Sequence, residues 1–184
     1  YESFFENLKK VTFHNKLGSE AERVDRISDI AMKIATITGS DLSSTKIAAS
    51  LCKLDLVSEL VVEFPELQGV IGKHYAKKAG VSDLIADACL EHYLPKGPLD
   101  EVPRSSVSIV LALAEKIDMI CSFWSINLKP TGSKDPYALR RSAIGIIRIL
   151  LENDLDLSIG QLLRLGNNNL DFEDLLDFFN ERIR

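Results

Sequence analysis

One stretch constrains this chain more than any other. From Ser105 or Ser106 it runs through Val107, Ile109, Val110, Leu111, Leu113 and Ile117, apolar on nearly every side. A helix that is hydrophobic all round is a buried one, so this segment predicts the central helix of a helical bundle. It is too short, and too soon interrupted by Glu115, Lys116 and Asp118, to cross a bilayer.

The flanking segments supply helices to surround it. Val24, Ile27, Ala31 and Ile34 recur at three- and four-residue steps, with Glu22, Arg26 and Lys33 on the other side and Gly39 as the stop. Asp41 or Ser43 caps a following helix whose apolar side is Ile47, Ala48, Leu51, Leu54 and Val57. Phe64-Pro65 is a joint, with a new helix expected to run to Lys78 and end at Gly80. A shorter helix is predicted from Ser82 to about Tyr93, then a loop over Lys96–Pro103. Asp135-Pro136 reads as a helix start, with Leu139, Ala143, Ile146 and Leu150 buried beyond it. Strand-like alternation is absent. The fold class expected is all-α, with one helical domain over 1–152. Polar breaks at Asn153–Asp156 and Gly166–Asn169 mark 153–184 as a helical linker toward a further domain.

Composition narrows function mainly by exclusion. At 46% hydrophobic and 27% charged residues, the 184-residue chain can bury a core without disulfides or metals. Cys52, Cys89 and Cys121 are widely spaced among apolar neighbours and read as reduced core thiols. No membrane segment or leader is visible, so a cytoplasmic location is expected. The first residue, Tyr1, suggests a piece of a longer polypeptide. The histidines His14, His74 and His92 form no HExxH pair and there is no CxxC. Glu115 and Asp118 share a helix face, either as metal ligands gathered with Glu91-His92 or as a charged patch neutralised by Lys116 and its neighbours. No nucleophile elbow or phosphate-binding glycine loop is present.

Two stretches carry the positive signal. Asn127–Arg148 holds Lys129, Lys134, Arg140, Arg141 and Arg148 against the single acid Asp135, although the whole chain is at −5. Gly145 between Arg141 and Arg148 would admit a backbone or a sugar-phosphate chain, and Thr131–Lys134 leading into a helix start would offer an anion site. Alternatively these cations pair with Glu101, Glu115 or Asp118. The second stretch is Glu63–Tyr75, in which Gly69 and Gly72 are expected inside a helix. Such glycines serve either close helix packing or the approach of a ligand, with Lys73 and His74 then facing phosphate.

Those same stretches, EFPELQGVIGKHYA over Glu63–Ala76 and PTGSKDPYALRRSAIGIIRILLE over Pro130–Glu152, resemble signature segments of the β subunit of bacterial-type glycyl-tRNA synthetase. FHNKLGS, KLDLVSELV, EHYLP, LALAEKIDMI and LLDFFNERIR resemble the same family in the same order. The resemblance covers essentially the whole chain. It implies the middle of that subunit, without its N-terminal domains or its anticodon-binding region, on a scaffold similar to the HD superfamily of metal-dependent phosphohydrolases. The HD metal-ligand pattern would fall near Glu20, on Cys52-Lys53 and on Glu115, so the resemblance implies the scaffold with neither metal nor hydrolase activity. It further implies a chain that is not catalytic alone and needs no cofactor. ATP and glycine would be handled by the α subunit, in an α2β2 glycine-tRNA ligase. Lys129, Lys134, Arg140, Arg141 and Arg148, with Lys73 and His74, would then meet tRNA(Gly), or dock the α subunit. Alternatives are a degenerate phosphohydrolase and a purely structural spacer.

Overall fold

A computed structural model describes residues 2–183. The chain is all-α apart from one small hairpin. The helices are α1 (Glu2–Leu8), α2 (Glu20–Thr38), α3 (Leu42–Leu51), α4 (Glu59–Glu63), α5 (Val70–Lys78), α6 (Asp83–Glu91), α7 (Ser106–Ser125), α8 (Leu139–Glu152), α9 (Ile159–Gly166) and α10 (Phe172–Ile183).

The apolar stretch is the central helix. α7 starts at Ser105, whose hydroxyl accepts from the Ser108 amide, and every residue from Val107 to Ile117 is buried. Around it pack α2, α3, α6, α8 and α9. The stripe on α2 holds: Val24, Ile27, Ala31 and Ile34 are buried. Ser19 and Glu22 form a reciprocal capping box at its start, and Gly39, at φ 72°, ends it in the left-handed conformation that costs glycine nothing. Leu139, Ala143, Ile146 and Leu150 line the inner face of α8 as expected. Leu162, Leu163, Leu175, Phe178 and Phe179 from α9 and α10 join the same core, so residues 153–183 pack on the bundle. The Trp124 indole donates to Asp174 at 2.9 Å, tying α7 to α10.

Four expectations need correction. Strands exist: Thr12–His14 pairs antiparallel with Gly18–Ser19. The pairing is too short to leave a period-2 signal, and Phe13 is held by the Arg23 guanidinium 4.4 Å from its ring centroid and by an edge contact to Phe123. Leu54 and Val57 do not continue α3, which stops at Leu51. A 3-10 turn over Leu54–Val57 follows, and Lys53, leaving helical geometry at ψ 1°, is buried. Pro65 opens only a 3-10 turn, and α5 begins at Val70 with Gly69 as its N-cap at φ 82°. Finally, α8 begins at Leu139 and not at Pro136. Residues Asp135–Ala138 close a turn through the Ala138 amide, while the Asp135 carboxylate accepts from the Leu139 and Arg140 amides at 2.9 and 3.0 Å.

Candidate functional site

α2, the Cys52-Lys53 corner and α7 deliver charged side chains to one buried point. The Arg23 guanidinium lies 2.6 Å from Glu115, 3.4 Å from Asp118 and 3.7 Å from Glu20. Lys53 Nζ is 3.6 Å from the same Glu115 carboxylate and 4.0 Å above the Tyr93 ring. Arg26 reaches Asp118 at 2.7 Å, and the Ser122 hydroxyl donates to it at 3.1 Å. Glu20, Lys53 and Glu115 thus converge on Arg23. Cys52 is buried beside them, its thiol directed at the Ala49 carbonyl and pushed up to about 12 by burial, which makes it an inert core thiol.

Burial alone would raise the Glu115 carboxyl. Lys53, Arg23 and Lys116 overcome that and hold it well below the usual range. Burial likewise works against the Arg23 charge, and Glu115, Glu20 and Asp118 more than compensate. Lys53 is lowered by burial, with Glu115 opposing. His92 is fully buried, its Nδ1 3.2 Å from the Ala88 carbonyl, and burial and then Lys53 push it well below its ordinary value. A divalent cation does not fit this donor set: a guanidinium and an ammonium already sit against the carboxylates that would have to bind it. Among the described residues no group of three His, Cys, Asp or Glu side chains is placed to hold a metal ion.

Above the cluster lies a cavity of about 220 Å³, lined by Tyr93, Pro95, Lys96, Glu115, Lys116, Met119, Tyr137, Ala138, Arg141 and Ser142. Lys116 crosses beneath α8 to give its ammonium to the His92 and Leu94 carbonyls at 3.3 and 2.8 Å. Burial pushes it down to about 8, with Glu115 holding it up and Lys53 and Arg141 adding to the fall. Gly145 makes that crossing possible, since a Cβ there would lie 2.8 Å from Lys116 Cε. The group that approaches Gly145 is therefore the chain's own lysine stem.

The expected basic residues divide into two sets. Lys129 pairs with Asp174 at 2.5 Å. Arg148 pairs with Glu152 at 2.8 Å and donates to the Gly97 and Asp100 carbonyls, holding the 96–100 loop. Lys73 pairs with Asp87 at 2.6 Å. Lys134 and Arg141 are exposed and Arg140 is half-buried, and among the described residues no acid pairs with any of their side chains. His74 is exposed beside Tyr75. The Thr131–Lys134 turn closes on itself through reciprocal backbone bonds, and Asp135 fills the α8 start with a carboxylate of the chain's own. Gly69 and Gly72 bring their amides to the buried Asp55 carboxylate at 2.7 and 3.1 Å. Arg23 was missed from sequence, although it lies four residues before Ile27 and three after Glu20, on the continuation of the buried stripe.

Comparison with known proteins agrees with the sequence resemblance. The family described as glycyl-tRNA synthetase beta subunit matches residues 1–184. The chain is 49% identical over 183 residues to the glycine--tRNA ligase beta subunit of Ruegeria sp. (strain TM1040), covering 100% of this chain and 27% of that protein. It is 49% identical to the corresponding subunit of Paracoccus denitrificans (97% of this chain, 26% of that one), and 54% identical over 154 residues to that of Dinoroseobacter shibae (84% and 21%). The chain thus spans about a quarter of the length of these relatives. With the match running from the first residue to the last, the chain belongs to the glycyl-tRNA synthetase β subunit family.

Proposed function

We propose that this chain is an RNA-facing and assembly module of glycyl-tRNA synthetase, meeting the phosphate backbone of tRNA(Gly) and not catalytic alone. In this reading the α subunit handles ATP and glycine, in a cytoplasmic α2β2 enzyme. The scaffold is HD-like over 1–152, with its former metal positions Glu20, Lys53 and Glu115 given over to ion pairs around Arg23 and Cys52 to a core thiol.

The observation that carries the RNA half is the cationic group Lys134, Arg140 and Arg141. In a chain at −5, these three lie within eight residues of one another with no acidic partner on their side chains among the described residues. Cations left unmatched on an acidic protein suit a polyanion, and backbone contact needs no base-reading motif. Lys129, Arg148 and Lys73 contribute structure instead. The assembly half is supported by exposed apolar side chains on and beside α4 and α5: Leu60, Val62, Phe64 and Val70, with Val62 70% exposed.

The test is a salt series of tRNA(Gly) binding by the parent synthetase, wild type against Arg140→Glu/Arg141→Glu. Removing one cation from a phosphate should reduce the slope of log affinity against log salt by about 1. An unchanged slope and affinity would remove the RNA assignment. Loss of α-subunit capture by the same variant would reassign these arginines to the subunit interface.

A further inference from the structure

The cavity above the charge cluster is built for more than packing. Its lining includes the three cations Lys96, Lys116 and Arg141 and one acid, Glu115. That acid is already matched, by Arg23 at 2.6 Å and Lys53 at 3.6 Å. The space therefore keeps an unbalanced positive charge, partly screened from solvent, where an anion interacts more strongly than on an open surface.

Its walls are fixed. Lys116 is held by two backbone carbonyls, and an ammonium has three donors, so one remains. Tyr137 is stacked on Phe123 with ring centroids 3.9 Å apart. The Tyr93 hydroxyl is buried without a hydrogen-bond partner among the described residues, and buried hydroxyls are rarely left so. Tyr137 and Ser142 are further hydroxyl-bearing residues of the lining. At the mouth, Lys96 and Arg141 are exposed and unpaired with any acid among the described residues, Lys96 lying 5.5 Å from the Tyr93 ring centroid.

We propose that this cavity is a binding site for a phosphate monoester. The dianion would be received by Lys96, Arg141 and the remaining Lys116 donor, and its organic portion would lie against Tyr93, Met119 and Tyr137. A guanidinium and ammonium groups matched to phosphate oxygens make charge-assisted hydrogen bonds, the stronger kind. Two sources present this chemistry: a free nucleoside monophosphate and the 5′-terminal phosphate of an RNA. The site shares only Arg141 with the proposed RNA surface, and its binding of a free monoester does not depend on that surface meeting RNA.

Calorimetric titration of the full chain with AMP, inorganic phosphate and adenosine tests the assignment. AMP and inorganic phosphate should saturate and adenosine should not. Lys96→Ala and Arg141→Ala should each weaken AMP by about tenfold, while Lys134→Ala leaves it unchanged. Adenosine binding as well as AMP, AMP binding indifferent to both mouth variants, or no AMP binding would each overturn the site. A tRNA(Gly) transcript with and without its 5′-phosphate separates the sources. Tighter binding of the phosphorylated form, lost in Lys96→Ala, assigns the RNA end. Equal binding of the two forms with AMP binding intact assigns the free nucleotide. A normal salt slope for tRNA(Gly) with no AMP binding would sink the cavity proposal and leave the RNA-facing function standing.

Discussion

Arg23 Nη2 donates to Glu115 Oε1 at 2.6 Å across the α2–α7 interface, with both side chains almost wholly withdrawn from water. The pair joins residues 92 positions apart, and Glu20, Asp118 and Lys53 gather around it. Burying these charges is unfavourable in itself, and removing one partner leaves the others uncompensated. Arg23→Met, which keeps most of the side-chain volume, should therefore lose about 3–5 kcal/mol of unfolding free energy. Urea denaturation measures it, and an unchanged midpoint would show that the cluster does not organise the bundle.

The same cluster sets the response to acid and base. Glu115 is held well below its ordinary 4.5 in the folded chain, so through the acid range the unfolded chain binds more protons. Its contribution is complete above about pH 5 and is lost as pH falls toward the folded value. Lys116 gives a slope of the same sign in a higher pH window. Burial lowers it to about 8 from 10.5, so between those values the unfolded chain again holds more protons and stability from this group rises with pH. Cys52 and Cys121, each raised to about 12 by burial, oppose that rise above pH 9. The lysine effect is accordingly read as a difference: wild type minus Lys116→Met should gain stability from pH 8 to 10.5, measured by denaturation at each pH. A flat difference would mean that Lys116 is not perturbed by folding.

Gly145 offers a test in which two rules conflict. Alanine is favoured over glycine inside a helix by about 1 kcal/mol, and the helix around position 145 is regular. The added Cβ, however, would fall 2.8 Å from Lys116 Cε and 3.1 Å from Cδ, on a stem whose far end is anchored to two carbonyls. Gly145→Ala should lower the melting temperature, and Lys116→Ala in the same chain should recover much of the loss beyond its own effect. Stabilisation by the single variant would show that the lysine stem yields freely.

The sequence carried the helices far better than the charges. α7 and the inner faces of α2 and α8 follow from apolar spacing, because many weak apolar signals along each helix add in one direction. Cap residues fixed several boundaries: Asp41, Ser82 and Ser105 each accept the expected amide. What was hidden depended on partners distant in sequence. Arg23 and Arg26 look like a solvated helix face until α7 supplies Glu115 and Asp118. Lys129 looks free until α10 supplies Asp174, 45 positions later. Glu20, Lys53 and Glu115 were named from resemblance. Their convergence needs the corner at Cys52, where the chain leaves α3, and no local propensity announces it.

The division of the basic residues into paired and unpaired gives the last prediction. Lys129 is bound to Asp174 and lies 5.3 Å from the Trp124 ring centroid, so it clamps α10 to the end of α7. It is about one-third exposed, so Lys129→Ala should cost only about 0.2–1 kcal/mol of stability. A side chain already neutralised releases few counterions from RNA, so the salt slope of tRNA(Gly) binding by the parent synthetase should hardly change. Lys134→Ala should do the reverse, since its side chain is exposed and pairs with no acid among the described residues. Its stability should stay within about 0.5 kcal/mol of wild type while the salt slope falls by about 1. Denaturation and a salt titration on both variants measure the two effects. If Lys129→Ala reduced the slope as much as Lys134→Ala, the Asp174 pair would have to open on RNA binding, and the distinction between structural and RNA-facing cations would fail.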